Sequence, residues 1–224
     1  MKPVRNRLDI ELKDDEYLYV RTGSFLKHPD SELVIPFKTK LPLSRMSKQM
    51  YFLFRVKGGS FSLTTPYDDA CISSVVLNPD ERIFIRMDHI LAFSGHLFPE
   101  RKWKIDLISV LSKRLRYIYF TGPGTVYYFG LGEVFVDELD DGKADYDQGA
   151  VIGWSGTLAV GVASRSSLAS ALFAKEDICL DRFEGSGKLL TQASTVKKLP
   201  KRFHEPAGNT SVMDYLNALL GLRV

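Results

Sequence analysis

Phe120-Thr121-Gly122-Pro123-Gly124-Thr125-Val126-Tyr127-Tyr128 is a glycine-punctuated strand pattern, and two variants of it stand elsewhere in the chain. The earlier one is Arg55-Val56-Lys57-Gly58-Gly59-Ser60-Phe61-Ser62-Leu63, and the later one is Phe183-Glu184-Gly185-Ser186-Gly187-Lys188-Leu189-Leu190-Thr191. Gly59, Gly124 and Gly187 are 65 and then 63 residues apart. Each motif sits between apolar, aromatic and β-branched residues, the composition of a strand, where glycine marks a bulge, a bend or a close backbone approach. The glycines therefore read as one backbone device used once per unit: Gly59 in the first, Gly122 and Gly124 in the second, Gly185 and Gly187 in the third.

A second landmark repeats in step with the first. Asp15 to Leu26 reads as a hairpin with its turn at Gly23, Asp80 to Leu91 as a hairpin with its turn at Asp88, and Gln148 to Ala159 as a hairpin with its turn at Gly156. Short apolar strands lead into the glycine motifs at Met50 to Phe54, Arg116 to Phe120 and Asp177 to Leu180. Two landmarks in register imply three tandem repeats of about 65 residues, at 14–79, 80–147 and 148–195. A single all-β domain over residues 1–196 is expected, with core candidates that include Leu18, Val20, Phe61, Ile83, Ile85, Phe120, Val126, Ile152, Leu180, Phe183 and Leu189.

Residues 197–224 differ in character. Lys197, Lys198, Lys201 and Arg202 form a basic connector, and Val212, Tyr215, Leu216, Leu219 and Leu220 then recur at helical spacing ahead of Gly221. This predicts a C-terminal amphipathic helix whose apolar face docks on the same domain or on another chain.

Composition narrows the class. The 224 residues are 45% hydrophobic and 25% charged, with a net charge of +3, which fits a globular protein and does not argue for nucleic acid. Cys71 and Cys179 are far apart and lack metal-ligand spacing, so they are read as reduced. The first 13 residues lack the apolar core of a signal peptide, and no run of about 18 apolar residues occurs, so a cytoplasmic protein without a membrane span is expected.

No motif specifies catalysis. Gly185-Ser186-Gly187-Lys188 lacks the upstream glycine of a phosphate loop, and Leu189 stands where Ser or Thr would bind magnesium. Ser155 in Trp154-Ser155-Gly156-Thr157 is not on a nucleophile elbow. His28, His89, His96 and His204 have no metal spacing and read as ordinary surface or turn histidines. The acidic run from Asp137 to Asp147 lacks the ligand order of a calcium loop and reads as a solvated loop. Neither an enzyme nor a cofactor is expected. Lys102, Trp103, Lys104, Arg114 and Arg116 interleave charge with aromatics, as a nucleic-acid contact would, but as edge-strand charges they equally block unwanted sheet pairing.

The glycine motifs at Phe120 to Val126 and Phe183 to Leu190, with the hairpin from Gly149 to Val160, resemble the altered-inheritance-of-mitochondria family, also described as mitochondrial-biogenesis proteins. The resemblance spans about residues 14–195. It implies a β-sandwich or barrel similar to the tryptophan RNA-binding attenuator fold, with internal pseudo-threefold symmetry, and it carries over no catalytic residues. Lys57 in the first motif departs from the pattern. The functional expectation is a non-enzymatic scaffold or protein-interaction protein, a homo-oligomer or bound to a protein partner, with the C-terminal helix as a docking element. The alternatives are an RNA or single-stranded nucleic-acid binding module and a small-ligand binder.

Overall fold

In the computed structural model the described residues are 4–21, 24–27, 31–34, 53–65, 67–94, 96–97, 100–102, 117–147, 149–164 and 179–194. Among them the chain is all β apart from one 3-10 turn at Met87–His89. The C-terminal helix expected over Val212 to Leu220 lies outside the described residues.

Two sheets divide the strands. The first holds β1 (Val4–Arg5), β6 (Ala70–Leu77), β11 (Gly124–Leu131), β8 (Ile90–Ser94), β2 (Arg7–Arg21), β5 (Leu53–Thr64) and β3 (Phe25–Lys27) in that order, with β4 (Ser31–Val34) also on β5. The second runs β12 (Val134–Asp147), β15 (Cys179–Gln192), β13 (Val151–Ser155), β7 (Arg82–Arg86), β10 (Tyr117–Thr121) and β9 (Glu100–Lys102), with β14 (Ala159–Ser164) also on β15. Among the described strands the chain changes sheet five times: from β6 to β7 at Asn78–Glu81, from β7 to β8 at Met87–His89, from β8 to β9, from β10 to β11 at Thr121–Gly124, and from β11 to β12. The opening motif is thus a sheet switch. Its glycine-proline peptide bond is cis.

Alternation explains the core. In β7, Arg82-Ile83-Phe84-Ile85-Arg86 sends Ile83 and Ile85 to one side, where they meet Phe120, Val126, Tyr128 and Ile152 from both sheets. Phe84 points the other way and forms a row with Tyr119, Trp154 and Leu189 across four neighbouring strands. Its ring lies 5.3 Å from both Tyr119 and Trp154. Trp154 and Leu189 of that row belong, with Leu158 and Phe183, to a core formed within the second sheet, and Phe84 packs against it. The first sheet has its own core, with Leu8, Ile10, Leu18, Val20, Phe61, Leu63 and Phe129.

β2 begins ahead of residue 14, where the first repeat was expected to start: Arg7-Leu8-Asp9-Ile10-Glu11 alternates with period two, so Leu8 and Ile10 are buried and β2 extends to 15 residues. The acidic run is not a loop but β12. Its charges are matched across the sheet: Glu138 faces Lys188, the Lys143 ammonium pairs with Glu184, and Asp145 takes two bonds, at 2.7 and 2.8 Å, from Arg182.

The first and third glycine motifs lie inside β5 and β15, and the ladder register slips beside each, between Leu12 and Tyr17 and between Leu139 and Gly142. Gly185 has φ 108°, in the region that favours glycine. Gly124 also has a positive φ, 154°, and a Cβ there would lie 2.6 Å from Cγ of fully buried Leu97. Gly124→Val is expected to cost about 1–3 kcal/mol through overpacking. Thermal unfolding checks this, and an unchanged melting temperature refutes it.

Candidate functional site

Two buried polar side chains, His89 and Arg21, meet where the chain crosses between sheets after β7. His89, read in the sequence as a surface or turn histidine, is the last residue of the 3-10 turn and is fully buried. Its ring packs on Phe129 of β11 with centroids 5.3 Å apart, and Nδ1 lies 2.8 Å from the Phe129 carbonyl. A carbonyl only accepts, so Nδ1 carries the hydrogen and Nε2 keeps its lone pair. Nε2 is buried and has no hydrogen-bond partner.

Arg21, at the end of β2, is also buried and reaches across to the same turn. One guanidinium nitrogen donates to the Asp88 carbonyl at 2.9 Å and to the Ile90 carbonyl at 3.5 Å, gripping the backbone on either side of His89. Burial pushes the imidazole down to about 3, helped by the positive charge of Arg86; the bond to the Phe129 carbonyl and the Asp88 carboxylate oppose this, and Arg21 adds a further lowering push. His89 is therefore neutral at physiological pH.

A parallel arrangement holds the next turn. Arg86 donates to the Val151 carbonyl at 3.4 Å. Buried Gln192 bridges the turn to β11: its side-chain nitrogen donates to the Gly149 carbonyl at 2.8 Å, while its oxygen accepts from the Leu131 amide at 2.8 Å. These groups tie strands together through carbonyls. They place no nucleophile beside a base, and the arrangement is one of structural latching.

The residues singled out in the sequence fall elsewhere. Gly185-Ser186-Gly187-Lys188 is extended within β15, so its amides do not converge as a phosphate cradle; instead the Lys188 amide donates to the Ser155 hydroxyl at 3.0 Å, and the Thr157 hydroxyl to the Ser186 carbonyl at 2.8 Å. Gly156 lies in the β13–β14 turn and Asp88 in the 3-10 turn, whereas Gly23 is outside the described residues. Lys102 ends β9, at the edge of the second sheet, while Trp103, Lys104, Arg114 and Arg116 are outside the described residues, as are Val212, Tyr215, Leu216, Leu219 and Leu220. Among the described residues no three His, Cys, Asp or Glu side chains group as metal ligands, and no helix is long and apolar enough to cross a membrane. Nothing in the spacing of His89 or Arg21 marked them beforehand, because their burial depends on strands distant in sequence.

A family model described as mitochondrial biogenesis AIM24 matches residues 5–194. A protein of Streptococcus pyogenes solved by X-ray crystallography has the same fold, with 16% sequence identity and a TM-score of 0.65 over 98% of this chain and 96% of the other. No curated protein matches the chain.

Proposed function

The chain belongs to the mitochondrial biogenesis AIM24 family, and on that premise we propose that it is a non-enzymatic β scaffold of three pseudo-symmetric units that works by protein–protein contact, including contact with a second copy of itself. The observation that carries the contact reading is the edge of the second sheet. There β12 lies at the end of the strand order and exposes Phe135 and Val136, at 43% and 53% of their surface. Apolar residues exposed on an edge strand favour association over solvation, and strand alternation places Phe135 and Val136 on opposite faces of that edge.

The threefold reading is supported by strand pairing. β5 is flanked by β2 on one side and by β3 and β4 on the other; β15 is likewise flanked by β12, and by β13 and β14. In the middle of the chain β11 lies between β6 and β8, and β10 between β7 and β9, which is the same scheme cut at the sheet switches. The arginine contacts follow it too: Arg21 reaches the Ile90 carbonyl and Arg86 the Val151 carbonyl. On this reading the units run over about residues 7–64, 70–131 and 134–192, and Gly149, two residues after the end of β12 as Asp88 is two after the end of β7, is a counterpart of Gly23 and Asp88 alongside the Gly156 of the sequence reading.

Light scattering tests the contact reading on the full chain, on a Phe135→Asp/Val136→Asp double variant and on a chain lacking residues 205–224. The full chain is expected above monomer mass, with the mass falling in the double variant, in the truncated chain or in both. A monomer at every concentration refutes self-association. RNA or single-stranded nucleic-acid binding replaces this reading if fluorescence anisotropy finds affinity for mixed RNA that falls steeply with salt.

A further inference from the structure

β8 is the strand that joins the two parts of the first sheet. It pairs with β11 through Phe93, Ala92 and Ile90, and with β2 through Ser94, Phe93 and Ala92. The turn that delivers it is held by three contacts from these same two neighbours: the two carbonyl bonds from Arg21 of β2, and the bond from His89 Nδ1 to the carbonyl of Phe129 on β11. The imidazole is the one group in this latch able to change charge near neutral pH.

We propose that His89 is an acid-responsive latch: protonation of its Nε2 releases the turn from Arg21 and Phe129 and lets β8 separate from β2 and β11. The geometry makes the closed state incompatible with an imidazolium. Nε2 lies buried with no acceptor, so a proton there creates an unpaired buried donor carrying part of a positive charge. Among the described residues the charged groups that act on the ring are Arg86 and Asp88 on its own segment and Arg21 from β2, so there two cations oppose one anion. β11 presents the Phe129 ring and its carbonyl, which offer no countercharge. Opening the seam brings Nε2 to water, where the ordinary affinity for a proton returns.

The sign follows from the direction of the shift. In the closed state the imidazole is lowered from 6.5 to about 3, so the closed seam is fully stable above pH 6.5 and loses stability as pH falls from 6.5 towards 3. Between pH 7.5 and 4.5 the opening equilibrium should rise by about 100-fold from this group alone.

Amide hydrogen exchange on the full-length protein, corrected for the intrinsic effect of pH, reads the latch. Protection of Leu91, Ala92 and Phe93 should fall from pH 7.5 to 4.5, and the fall should exceed that in His89→Gln by about 100-fold. Glutamine keeps a neutral donor for the Phe129 carbonyl and cannot take up the proton. These amides should also be less protected than Leu189 and Leu190 of β15 at both pH values, since the seam opens while the second sheet stays paired. Equal pH dependence in wild type and variant overturns the proposal, and so does protection in β8 equal to that in β15. If the glutamine variant does not fold, ring nitrogen NMR on the wild type decides: Nε2 of the folded protein should remain unprotonated at pH 4.5, and a protonated ring in the folded signal overturns the latch.

Discussion

Phe129→Ala is expected to lower the unfolding free energy by about 3–5 kcal/mol, the range for deleting a buried aromatic ring. Phe129 is fully buried in the core of the first sheet, and its ring stacks on Tyr67 at 5.5 Å while supporting the His89 imidazole at 5.3 Å. The surrounding positions are on different strands, held in register by ladder bonds, so they cannot collapse far into the vacated space. The substitution leaves the Phe129 carbonyl in place for His89 Nδ1, so the loss reports packing and not the latch bond. Denaturant titration measures it, and a loss below about 1 kcal/mol, typical of a surface site, contradicts the packing described.

Gly122→Val is expected to be the most disruptive of the glycine substitutions, costing about 3 kcal/mol, the upper end of the usual range for overpacking. A Cβ at position 122 would lie 2.1 Å from the Asn78 carbonyl oxygen and 2.9 Å from the Leu77 Cβ. Position 124 meets a side chain that can rotate, but position 122 meets backbone. That backbone is fixed: the Gly122 amide donates to the Glu81 carbonyl at 2.9 Å, tying one sheet switch to another. Relief of the clash therefore requires moving both crossings together. The prediction is checked by comparing melting temperatures of Gly122→Val and Gly124→Val, with the larger drop expected at position 122; the reverse order would show that the 78–81 turn yields more readily than the Leu97 side chain.

Much of the β framework was legible because its signals are local. Alternation in Arg82-Ile83-Phe84-Ile85-Arg86 marks a strand with one buried face, and Ile83 and Ile85 are buried. Leu18, Val20, Phe61, Phe120, Val126, Ile152, Phe183 and Leu189 are likewise in the core, whereas Leu180 is only partly covered. The family was legible for a related reason, since its glycine motifs are contiguous in the chain. The readings that failed were those in which local polarity stood in for exposure. Asp137 to Asp147 looked like a solvated loop because no single-strand pattern reveals that Lys188, Glu184 and Arg182 wait across the ladder. In Arg7 to Lys13 the charges hid an alternation that places Leu8 and Ile10 inside, so neither stood among the core candidates.

The candidate site was the least legible part. A histidine in a turn between polar neighbours carries no mark of full burial, and Arg21 none of its reach to a turn nearly 70 residues away. The amino-acid sequence alone determined the all-β class, part of the core and the family, because side-chain periodicity and glycine placement act over a few residues. Only the tertiary structure decided where the chain changes sheet, that Gly122-Pro123-Gly124 is one of those crossings, and that His89 lies sealed between β2 and β11, because each depends on backbone groups brought together from distant strands.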